Sequence, residues 1–180
     1  MEPRESIEIR KKMAEMHEDV LERIDKAYKN KSYIEVCWLC YACFESRINR
    51  ILEKIISGCG KCPRKDNRHI GIRTKIECYK RLIKSGYLPF AGEDQNLMDT
   101  IKGWCKERND LIHGMVSLEI YNDADRKFKN LAKRGVALVK RAYSLGTDIR
   151  EYYYSTASIP NFRDDVVKKC PLKCKCIKEG

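Results

Sequence analysis

Arg108, Asn109 and His113 place a guanidinium, an amide and an imidazole within six consecutive residues. These side chains suit phosphodiester chemistry without a catalytic metal. An imidazole titrates near neutral pH, so it can take or give the proton that such a reaction moves. A guanidinium presents a planar fork of donors that matches two phosphate oxygens and stabilises charge developing on them. For RNA the expected reaction is attack by the ribose 2′-hydroxyl on its own phosphorus, leaving a 2′,3′-cyclic phosphate. His113 would serve as general base or acid, Arg108 would hold the scissile phosphate, and Asn109 would orient the phosphate or the imidazole.

The elements that must position this triplet are legible in the apolar spacing. Ile9, Met13, Met16, Val20, Ile24 and Ala27 recur every three or four residues and predict a helix over Glu5 to Tyr28. Ser32 can cap a second helix to about Ile56, with the stripe Ile34, Cys37, Tyr41, Phe44, Ile48, Ile51 and Ile55. The pair is expected to lie antiparallel. Gly58 to Gly71 reads as loop, and a shorter helix carrying Ile72, Ile76, Tyr79 and Ile83 is closed by Gly86 and Pro89. A fourth helix starts at Glu93 and ends at Gly114. A fifth carries Tyr121, Ala124, Phe128, Leu131, Leu138 and Ala142; Gly146 is expected to end it, with a short aromatic helix over Asp148 to Ser155. No segment alternates as a strand would. The expected fold is all-α, an antiparallel helical bundle of four or five main helices over residues 1–158, followed by a basic, Cys-rich tail over 159–180.

In the fourth helix the stripe runs Leu97, Ile101, Trp104, Arg108, Leu111, Met115, so a guanidinium stands where an apolar residue belongs. A cation on a core stripe must snorkel to water or find an anion, and residues that break a local pattern are where function is expected. At about 100° per residue, Asn109 and His113 share a face, whereas Arg108 and His113 differ by about 140°, a gap the length of Arg can span. Glu45 neighbours the stripe of the second helix and could brace Arg108, although a solvated glutamate is the commoner state. Arg10 precedes His17 and Arg64 precedes His69 at similar spacing. Neither has the Asn, and Arg64 to His69 falls in the loop. The bland alternative for the triplet is a helix-end histidine favoured by the macrodipole and an arginine in a salt bridge.

The segment Glu107-Arg108-Asn109-Asp110-Leu111-Ile112-His113 resembles the signature of the HEPN superfamily, helical-bundle proteins whose Arg-x4-6-His motif often carries Asn after the Arg. The order of helices from about Ile7 to Tyr143, with the motif near the end of the fourth, is similar to that family's arrangement. The resemblance implies a metal-independent endoribonuclease that works as a homodimer with its motifs facing, in the manner of toxins or defence effectors restrained by a partner such as an antitoxin. A single helix offers one histidine, so a second copy would supply the second proton-handling group. Two other readings stay open. One is a non-catalytic RNA-binding or adaptor module using basic faces such as Lys11, Lys12, Lys29 and Lys31. The other is a partner subunit of a nucleotidyltransferase.

The formal charge of +11 favours phosphate-rich partners such as RNA. Cys59 and Cys62, flanked by Gly58 and Gly60, form half of a zinc knuckle, and Cys170, Cys174 and Cys176 could complete a structural zinc site. Catalysis would need no cofactor. Cys37, Cys40, Cys43, Cys78 and Cys105 fall on helices and read as small core residues. No apolar run reaches the roughly 20 residues a membrane span requires, and no export signal is evident, so a cytoplasmic protein is expected.

Overall fold

A computed structural model describes residues 3–56, 71–84, 93–115 and 123–156. Every element in these stretches is an α-helix: α1 Pro3–Lys29, α2 Tyr33–Ile56, α3 Ile72–Lys84, α4 Glu93–Gly114 and α5 Ala124–Thr156. The all-helical expectation therefore holds, and the arrangement is compatible with a helical bundle. The helices contribute to two compact units, one of Met1–Ala42 with Arg108–Val136 and one of Cys43–Glu107 with Ala137–Gly180. None is long and apolar enough to cross a membrane.

The turn between α1 and α2 is fixed by backbone hydrogen bonds. Lys31 adopts φ of 61°, a left-handed conformation that glycine or asparagine usually supplies. Its N–H donates to Tyr28 O and the Ser32 N–H to Ala27 O, so two carbonyls left open at the end of α1 are satisfied together. Val36 N–H then donates to Ser32 O, which places Ser32 at the cap position its sequence context predicts. The Tyr28 and Tyr33 rings meet edge-on across this turn at 5.7 Å.

In the first unit the core draws on Ile24 and Ala27 of α1, Val36, Cys37 and Cys40 of α2, Leu111 of α4, and Phe128, Leu131 and Ala132 of α5. Met16, placed on the α1 stripe by its spacing, is exposed. In the second unit Phe44, Ile48, Ile51 and Leu52 pack in one core with Ile76 and Tyr79 of α3, Leu97, Ile101 and Trp104 of α4, and Leu138, Ala142, Leu145 and Ile149 of α5. Phe44 and Trp104 meet edge-to-face at 5.2 Å, a favoured aromatic geometry. The five cysteines expected in the core, Cys37, Cys40, Cys43, Cys78 and Cys105, are all buried and none is joined in a disulfide.

The largest departure from the sequence reading is α5, which runs unbroken past Gly146 to Thr156 where an end and a separate short helix were expected. Gly inside a helix costs about 1 kcal/mol relative to Ala. Burial of Leu145 and Ile149, which continue the stripe of Leu138 and Ala142, offsets that cost. A methyl group on Gly146 would lie 3.5 Å from Arg47 Nη1 and 3.6 Å from Arg47 Cδ, ordinary contact distances. Gly103, exposed within α4, would meet nothing within 4 Å. Gly146→Ala and Gly103→Ala should therefore each raise unfolding free energy by about 0.5–1 kcal/mol in urea titrations. A loss of stability in Gly146→Ala alone would show that the helix breaks there.

Candidate functional site

Arg108 lies on the buried face of α4 and is 6% exposed, so the guanidinium does stand in the apolar stripe. Its Cζ sits 3.9 Å from the Trp38 ring centroid and 4.7 Å from that of Tyr41. Trp38 and Tyr41 are three residues apart on α2, a spacing that puts both rings on neighbouring ground of one helix. Nη1 donates to Asn109 Oδ1 at 2.9 Å. Nε and Nη2 are buried and have no hydrogen-bond partner among the described residues.

The second buried cation, Lys75, shows what a neutralised site looks like in the same chain. Its side chain is 2% exposed and Nζ donates to Glu45 Oε1 at 2.7 Å. Glu45 is therefore engaged by Lys75. Among the described residues no carboxylate pairs with Arg108. Among the described residues its charge is offset by the Asn109 amide oxygen and by aromatic faces, the latter worth about 0.5–2 kcal/mol, against a burial penalty of several kcal/mol for an uncompensated ion. Leaving a buried N–H unmade costs about 1–3 kcal/mol more.

Asn109 and His113 are exposed, one turn apart on the same face of α4. With Oδ1 accepting from Arg108, the two hydrogens on Asn109 Nδ2 remain as donors at the surface. His113 stands in the last turn of α4, where the carbonyl end of the helix favours a cation. The structure thus brings Arg108 and Asn109 into contact and sets His113 one turn further on. The expected grip of Arg108 on phosphate faces one obstacle: its unpartnered N–H groups lie beneath the surface, so a phosphate reaches them only after local side-chain movement.

Sequence reasoning missed Trp38. Periodicity runs the start of the α2 stripe through Ile34, Cys37 and Tyr41, yet in that stretch Val36, Cys37 and Cys40 are buried, while Ile34 is 37% and Trp38 54% exposed. The signal was an indole out of register with the stripe, one turn after Ile34. A second polar cluster also escaped it. Arg47 Cζ lies 3.6 Å over the Tyr143 ring. Burial pushes the Cys43 thiol and the Tyr143 hydroxyl up and the Arg47 guanidinium down, the Tyr143 interaction partly opposing the shift at Arg47. These groups are half to mostly buried and fit an interior polar network.

Cys59, Cys62, Cys170, Cys174 and Cys176, with Arg64, His69 and the 159–180 tail, fall outside the described residues. Comparison with known proteins adds no relative: no family model matches the sequence, and no curated protein or solved structure matches it significantly.

If Arg108 is held for a ligand rather than for folding, Arg108→Met should leave stability within about 1 kcal/mol of the parent, because exchanging a buried ion for a hydrophobe of similar size is often neutral or stabilising. Chemical denaturation measures this. A loss of about 3 kcal/mol or more would make Arg108 a structural cation.

Proposed function

We propose that this chain is a metal-independent endoribonuclease of HEPN type, with Arg108, Asn109 and His113 as its working group. The observation that carries the reading is the buried guanidinium of Arg108, boxed by Trp38 and Tyr41, bonded to Asn109 and unmatched by any carboxylate among the described residues. Support also comes from the exposed imidazole one turn beyond Asn109, from the resemblance of the motif and from the excess positive charge of the chain.

In the proposed reaction the 2′-oxygen attacks phosphorus, His113 takes the 2′-hydroxyl proton, and the bond from phosphorus to the 5′-oxygen breaks. The departing 5′-oxygen takes a proton from His113 of a second copy in a homodimer. Asn109 meets the phosphate through its outward Nδ2. Arg108 supplies positive charge and fixes Asn109, and its unpartnered N–H groups join the phosphate when the box opens. Products are a 2′,3′-cyclic phosphate and a 5′-hydroxyl, with atoms and charge balanced and no cofactor in the step. The same proposal includes restraint by a partner protein such as an antitoxin, and action in the cytoplasm.

The burial of Arg108 favours one other reading, a non-catalytic RNA-binding module in which the cation binds phosphate and His113 moves no proton. An adaptor or nucleotidyltransferase partner would share that absence of cleavage.

Labelled RNA incubated with purified protein and excess chelator decides between them. Cleavage to 2′,3′-cyclic phosphate ends is expected. His113→Ala should slow it by roughly 10²–10⁴-fold and Arg108→Ala by roughly 10²–10³-fold. Undiminished cutting by His113→Ala would remove the assignment, and an inert parent would leave the binding module.

A further inference from the structure

We propose that the outward face of the Trp38 indole is a stacking platform for one base of single-stranded RNA, beside the phosphate that Arg108 and Asn109 address. The inference rests on reading the Arg108 region as an RNA site and adds the group that would hold the nucleobase.

Trp38 is 54% exposed, whereas Trp104 is 3% exposed and Phe44, Tyr79 and Phe128 are buried. Among the described residues, folding has therefore left Trp38 as the large aromatic at the surface in the unit that carries the motif. Its ring is not loose, because the Arg108 guanidinium lies against it at 3.9 Å from the centroid. The cation lies over one face of the ring, and the residue is nonetheless 54% exposed. A ring already held in place loses little freedom when a base stacks on it.

Ile34 one turn before Trp38 and Ala42 one turn after it are both exposed, the first offering an apolar edge and the second almost no bulk. Lys29 and Lys31, exposed at the turn that leads into α2, can meet the backbone of an RNA strand, while exposed Glu35 disfavours phosphate on its own side of the ring. Aromatic stacking with phosphate contacts alongside is how single strands are held with little regard to sequence.

A second copy of the chain would ask for more surface. A standard protein interface buries about 800 Å² per partner. Among the described residues the exposed large hydrophobics are Met16, Ile34 and Trp38 alone. Trp38 with Ile34 fits one base better than a protein face.

The test uses two 2′-O-methyl ribose-phosphate oligomers of equal length, one carrying uracil and one abasic. The blocked 2′-oxygen prevents cleavage, so binding is read apart from chemistry. Acrylamide quenching of tryptophan emission reports Trp38, with buried Trp104 as internal reference. The uracil oligomer should shield Trp38 and the abasic one should not. Trp38→Ala should weaken uracil-oligomer binding by about tenfold and change abasic binding less than about twofold, while Trp38→Phe retains most of the affinity. Equal binding of the two oligomers, or no shielding by either, overturns the platform. Shielding that grows with protein concentration in the absence of RNA also overturns it, in favour of a second copy. Cleavage of unmodified RNA is scored separately: shielding without cleavage sinks the chemistry alone, and cleavage without shielding sinks the platform alone.

Discussion

A cation buried with no carboxylate against it among the described residues is the constraint around which this structure is arranged. Arg108 takes a core position on α4, where the described residues around it supply two aromatic rings and one amide oxygen but no carboxylate. Aromatic faces are attracted to a guanidinium but do not consume its hydrogen bonds, because the donors lie in the plane of the group and the rings lie over it. The arrangement keeps the cation in place and keeps part of its donor capacity unspent. Apolar packing elsewhere must offset what this leaves uncompensated.

Lys75 sharpens the contrast. Both cations are buried on helices of the same chain, and one of them received a carboxylate in direct contact. The fold can therefore neutralise an interior charge. Arg108 has no such carboxylate among the described residues, and departures of this kind from a local pattern are where function is commonly sought. The Arg47, Tyr143 and Cys43 cluster shows a third solution, in which cation, ring and thiol share a partly buried network.

Much of the fold was legible because it depends on spacing. Leu97, Ile101, Trp104 and Leu111 on α4, and Ile72, Ile76, Tyr79 and Ile83 on α3, are buried as their periodicity predicts. Arg108 was conspicuous for the same reason, since only a regular stripe makes an exception visible. What failed depended on tertiary contact. Gly146 reads as a terminator locally, but Leu145 and Ile149 find a core that carries the helix through it. Glu45 gave no local sign that Lys75, thirty residues later, would claim it. Trp38 was overlooked because its partner is a guanidinium supplied by a distant helix, and no periodicity in α2 announces a cation.

In the proposed function Arg108 keeps its unpartnered donors for a nucleic-acid phosphate. The most direct measurement follows the Arg108 side-chain Nε–H resonance by NMR during titration with a short, uncleavable 2′-O-methyl RNA. Saturable movement of that resonance, together with the Asn109 side-chain amide, is the predicted result. An Arg108 signal that stays fixed while the oligonucleotide binds elsewhere on the protein would contradict the account.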